Sequence, residues 1–82
     1  MKEEYLDKIC YKKALDFFNQ LISQNNFPYD LDEINEIKEE AISLIKTDLY
    51  YSKKEKELIS NHLRNFFREY KANLLDYHKT YV

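Results

Sequence analysis

Residues 52–81 read SKKEKELISNHLRNFFREYKANLLDYHKTY, and this stretch decides the fold. Leu63, Phe67, Tyr70, Leu74, Tyr77 and Tyr81 follow one another at alternating steps of four and three, which keeps them on one side of an α-helix. Ile59 and Phe66 widen that seam toward a second neighbour. Ser52 followed three residues later by Glu55 is a capping box, so the helix is expected to open at 53 and to run to about 78. A helix this long with a two-sided apolar seam needs two partners, and the rest of the chain supplies them.

Upstream, Asp30 as N-cap, Glu33 as its box partner, and Tyr29 with Ile34 at the staple positions start a helix expected over 31–49. Ile34, Ile37, Ala41, Ile42, Leu44, Ile45 and Leu49 share its apolar arc, with Lys38 set among them. Residues 3–23 place Leu6, Cys10, Ala14, Phe17 and Leu21 on one line and Tyr11, Leu15, Phe18 and Ile22 on the next, an amphipathic helix that touches two neighbours. Asn25-Asn26 can end it in the left-handed conformation, and Pro28 forbids continuation. Two short connections make sequential helices antiparallel. The expected architecture is therefore all-α, a single domain over residues 1–82 folded as an up-down-up antiparallel three-helix bundle. About 26 residues give the third helix roughly 39 Å against about 28 Å for the others. Its far end should overhang, covered by the 23–30 loop or offered as a contact surface.

Composition agrees and excludes. With 82 residues, 44% hydrophobic and 34% charged, the chain belongs to the globular class and its core is small. It contains no Gly, where average usage is about 7%. Glycine-rich phosphate loops and strained nucleophile turns are thereby excluded. No apolar run approaches the roughly 20 residues of a membrane span, and the first residues lack the apolar segment of a signal peptide. A single cysteine, Cys10, agrees with a reducing compartment, so a cytoplasmic protein is expected. Lys, Asn, Ile, Tyr and Phe fill 38 of the 82 positions, all using A/T-rich codons, which suggests a low-GC genome such as that of a bacterium or phage.

Chemistry-bearing groups are sparse. His62 and His78 stand sixteen residues apart on one helix and Cys10 points into the core of another, so no metal site is expected. The pair Glu39-Glu40 falls on a convex polar face, without the pocket that tunes a catalytic carboxylate. Neither an enzyme nor a cofactor is indicated.

Binding surfaces remain. Asp32, Glu33, Glu36, Glu39 and Glu40 make an acidic face on the second helix, in a segment 30–51 that carries seven acids and two lysines. Acids early in a helix suit its dipole. The same face also resembles a phosphate backbone to a nucleic-acid-binding partner. Residues 52–82 carry seven basic and four acidic groups, with Lys53, Arg64, Arg68, Lys71 and Lys79 on roughly one face. That face is the basis for an alternative reading as a nucleic-acid-binding protein, which the overall charge of −2 disfavours. Lys53 and Lys54 stand in a first helical turn, where the dipole disfavours cations, and an anion bound near that helix start would resolve the conflict. Arg64, Arg68, Lys71, Leu75 and Tyr81 form the best candidate contact surface for another protein, since Arg and Tyr are frequent interface anchors. The C-terminal half of the third helix is also the candidate homodimer surface. Tyr50-Tyr51 at the turn before it are further contact candidates. The functional expectation is a small, non-enzymatic protein-binding module, a regulator, inhibitor or immunity-type protein of a bacterial or mobile-element system acting by steric occlusion.

Overall fold

The computed structural model describes the backbone of residues 3–28 and 30–81 and the side chains of residues 4–28 and 30–76. Three helices follow in order, α1 (Glu3–Gln24), α2 (Leu31–Thr47) and α3 (Lys53–Tyr81), as the all-α expectation requires. α3 packs against both other helices, whereas α1 and α2 scarcely touch each other. It is the axle of the fold. Asn35 of α2 meets Lys71, so α2 and α3 run antiparallel, while Asp7 with His62 and Phe18 with Tyr70 show α1 running parallel to α3.

The core follows the seam of α3. Ile59, Leu63, Phe67 and Leu74 are buried between Cys10, Ala14 and Ile22 of α1 and Ile34, Ile37, Ala41 and Ile45 of α2. The small side chains Cys10, Ala14 and Ala41 let both flanking helices approach closely and leave space for Phe67, the largest fully buried residue. An aromatic row joins α1 to α3: Tyr11 meets Phe66 edge-on at 5.2 Å and Phe18 meets Phe67 at 4.9 Å.

Local chemistry sets the helix ends. α1 closes in a Schellman motif, the Phe27 N–H donating to the Ile22 carbonyl at 2.9 Å and the Asn26 N–H to that of Ser23 at 3.2 Å. Asn26 takes the expected left-handed conformation at φ 58°, but Phe27 follows it at φ 53°, a conformation that a bulky residue rarely adopts. The loop then turns back over α3. Pro28 is buried, and its carbonyl accepts from the Tyr70 hydroxyl at 2.9 Å. The loop therefore meets α3 at Tyr70; Leu74, one turn on, is buried in the core, and Tyr77 lies outside the described side chains.

Asp30 caps α2, its Oδ1 accepting from the Asp32 N–H at 2.8 Å; Tyr29 of the expected staple lies outside the described residues. α2 stops at Thr47, two residues short of the expected end. The Thr47 hydroxyl folds back onto the carbonyls of Ser43 and Leu44, and Asp48, extended at φ −73° and ψ 122°, accepts the Tyr50 N–H on its side chain. This Asx turn breaks the apolar arc. Leu49, expected on that arc, is 95% exposed, and Leu44 is 52% exposed. α3 opens with both halves of its capping box made: the Glu55 N–H donates to Ser52 Oγ at 3.2 Å and the Ser52 N–H to Glu55 Oε1 at 3.0 Å.

Candidate functional site

Because α1 and α2 scarcely touch, a groove of ≈ 710 Å³ opens between them, near the turn that joins α2 to α3. Phe17 of α1, Leu44 and Ile45 of α2, Tyr51 and Ile59 give it an apolar lining, and Lys13, Asp16 and Asp48 stand on it with both signs of charge. Tyr50, 79% exposed, lies at one edge beside Leu49.

These exposed side chains are held in place. The Asx turn at Asp48 fixes the backbone of Tyr50, and the Tyr50 ring meets Tyr51 edge-on at 5.2 Å. The Lys13 ammonium stands 5.5 Å from the Tyr50 ring centre and 5.1 Å from that of Tyr51, within cation–π range. The order of these rings lowers the entropy that binding would cost.

The surface expected at the far half of α3 is distributed differently. Arg64 and Arg68 are exposed, and each donates to an asparagine one turn back on the same helix, Asn61 at 3.1 Å and Asn65 at 2.9 Å. The half-buried Lys71 donates to Asn35 Oδ1 across the α2–α3 seam at 2.8 Å. All three cations are thus oriented by neutral acceptors. Leu75 is 53% exposed, at the end of the molecule where Phe27 and Leu31 are exposed as well. The side chains of Tyr81 and Lys79 lie outside the described residues.

Asp32, Glu33, Glu36, Glu39 and Glu40 are all exposed on the side of α2 away from the core. Lys38 is partly covered, with its ammonium 3.6 Å from Glu39. The aliphatic stem follows the apolar arc while the charge reaches water.

Two titratable groups of the first helix turn inward. Cys10 is fully buried, and burial pushes its thiol above 9.0, with the carboxylates of Glu55 and Asp7 adding to the rise and Lys13 opposing it. Asp7 Oδ1 lies 2.8 Å from His62 Nε2, within hydrogen-bond distance. His62 also meets Tyr11 edge-on at 5.2 Å.

Sequence reasoning found the tyrosine pair at the turn but missed the groove beside it. Asp48 preceding Leu49-Tyr50 was the available signal, because an Asx turn there takes Leu49 off the helix. Among the described residues no helix is long and apolar enough to cross a membrane. Comparison of the chain with known family models, curated proteins and solved structures returned no match.

Proposed function

We propose that this chain is a non-enzymatic protein-binding module that receives an apolar segment of a partner protein in the α1–α2 groove, and acts by occluding that segment. The observation that carries the reading is the pairing of an open apolar groove with Leu44 on the last turn of α2 (52% exposed) and with Leu49 and Tyr50 (95% and 79% exposed) in the following turn, which is fixed by its own hydrogen bond. Burying large apolar side chains is the main favourable term in association, and such exposure clustered at one end of a domain marks an interface. The occupant is a polypeptide because Asp16 and Asp48 face it alongside Lys13, and two carboxylates repel a phosphate backbone. The reading places the chain among small regulators or inhibitors that work sterically.

The test is affinity capture from a lysate of the source organism, run with and without nuclease, on the wild-type chain, a Leu49→Asp/Tyr50→Ser variant and an Arg64→Glu/Arg68→Glu variant. A polypeptide kept after nuclease, lost with the first variant and kept by the second supports the groove. Recovery that collapses with nuclease, or that follows the arginine variant, overturns it in favour of nucleic-acid binding by α3.

A further inference from the structure

The last turn of α2 and the first turns of α3 border a second cleft, of ≈ 380 Å³, that shares no lining residue with the α1–α2 groove. We propose that this cleft binds the phosphoryl group of a small phosphate monoester, held by Lys46, Lys53, Lys56 and Arg64 with the Ser60 hydroxyl as a further donor.

Charge is the first argument. Four cations and one carboxylate, Glu57, line the cleft, in a chain whose net charge is −2. Lys46, Lys53 and Lys56 form no ion pair among the described residues, and Arg64 spends one N–H on the neutral Asn61. Its guanidinium keeps further donors for an oxyanion. Lys53 is set in the first turn of α3 against the helix dipole, a placement that an anion bound between it and Lys46 would make favourable.

Ser60 is the second and independent argument. It is 2% exposed, and its Oγ is the one buried side-chain oxygen or nitrogen without a hydrogen-bond partner among the described residues. A helical hydroxyl ordinarily returns to the carbonyl a turn back, as Thr47 does to Ser43. Ser60 does not, although it lines the same cleft as the cations. Its Oγ is itself covered, so an anion reaches it only as exposed side chains of the cleft swing aside; the hydroxyl is a free rotor and can then turn its proton toward that anion.

The size and the carboxylate define the ligand. A volume of ≈ 380 Å³ lies at the low end of small-molecule sites, about 300–1,000 Å³, so the phosphoryl group arrives with a small body attached. Glu57 within the ring of cations repels a second phosphate. A polyanion following α3 from Lys53 to Arg68 would have to cross it, which selects a monoester over a nucleic acid.

The experiment is a ¹H–¹⁵N NMR titration of the full chain with glycerol 1-phosphate, with glycerol as the uncharged control and a short single-stranded oligonucleotide as the polyanion. Saturable shifts confined to the amides of residue 46 and residues 53–64 are expected, absent with glycerol. Ser60→Ala should weaken binding about tenfold, the scale of a hydrogen bond to a charged group. Lys53→Glu should abolish binding, and Arg68→Ala should leave it unchanged. Because Ala favours helix more than Ser does, loss of binding in Ser60→Ala is not a loss of fold, and a thermal melt checks this. Three results each overturn the proposal: shifts spread over lysines of α1 as well, binding unaffected by Ser60→Ala, or an oligonucleotide that binds more tightly and moves Arg68 and Lys71.

Discussion

The hydroxyl of Tyr70 donates to the carbonyl of Pro28 at 2.9 Å, a bond that joins residues 42 apart in sequence and fastens the α1–α2 loop to α3. Tyr70→Phe keeps the ring against Phe18 and removes this bond. A partly buried hydrogen bond contributes about 1 kcal/mol. For a domain of this size the variant should melt about 4–8 °C lower, measured by circular dichroism.

Phe27 sits at φ 53° with 58% of its surface exposed, so it carries backbone strain and little packing. Phe27→Gly should therefore stabilise the fold, against the usual direction for glycine. Relief of about 1–2 kcal/mol in left-handed strain is offset in part by the entropy that glycine brings to the unfolded chain. The net gain expected in urea unfolding is about 0.5–1 kcal/mol, and a loss would show that the Phe27 ring contributes packing.

The capping box at Ser52 gives a pH dependence with a definite sign. Two hydrogen bonds with Ser52, the backbone one first, hold the Glu55 carboxyl below its ordinary 4.5. A carboxyl with a depressed folded value stabilises the fold fully above its unfolded value and loses that contribution as pH falls through the folded one. Glu55→Gln should flatten the acid limb of the stability curve below about pH 4.5, measured by urea unfolding at several pH values. Ser52→Ala removes the cap at every pH and should cost about 1 kcal/mol.

Cys10 should resist thiol reagents while the fold is intact. The side chain is fully buried and its thiol is raised above 9.0, first by burial, so little thiolate exists near neutrality. Labelling at neutral pH should be slow in buffer and rise across the urea transition. Fast labelling of the folded chain would mean that α1 opens often.

Exposure also separates the roles of two apolar residues. Leu49→Asp, at a site 95% exposed, should change stability by less than about 0.5 kcal/mol. Phe67→Ala, at a fully buried site, should cost about 3–5 kcal/mol, a large share of what so small a domain possesses. Chemical denaturation of both variants checks the contrast.

The helices and most of the core were legible because each rests on local rules. Ser52 with Glu55, Asp30, and the spacing of Ile59, Leu63, Phe67 and Leu74 speak for themselves in one dimension. What stayed hidden depends on where helices meet. An apolar arc names a face without saying how far the neighbour extends, so Leu44 and Leu49 read as core although the neighbouring helix does not cover them. The cleft around Ser60 joins Lys46 to residues of another helix, and that convergence has no sequence spacing to reveal it. Asn25-Asn26 announced a left-handed turn, but nothing in residue preference announced that Phe27 would extend it.

With α1 and α2 each resting on α3 and scarcely on each other, the molecule has two seams that can open separately. The α2–α3 hairpin is contiguous in sequence and needs only a short loop to close, so it is the natural first unit to assemble, and α1 docks onto the surface it presents. Amide hydrogen exchange should then divide the chain in two, with the α1 amides exchanging through a lower-energy opening that leaves the hairpin protected. Any ligand that bridges α1 and α2 would close a ring that the covalent fold leaves open, and the exchange of both outer helices would slow together.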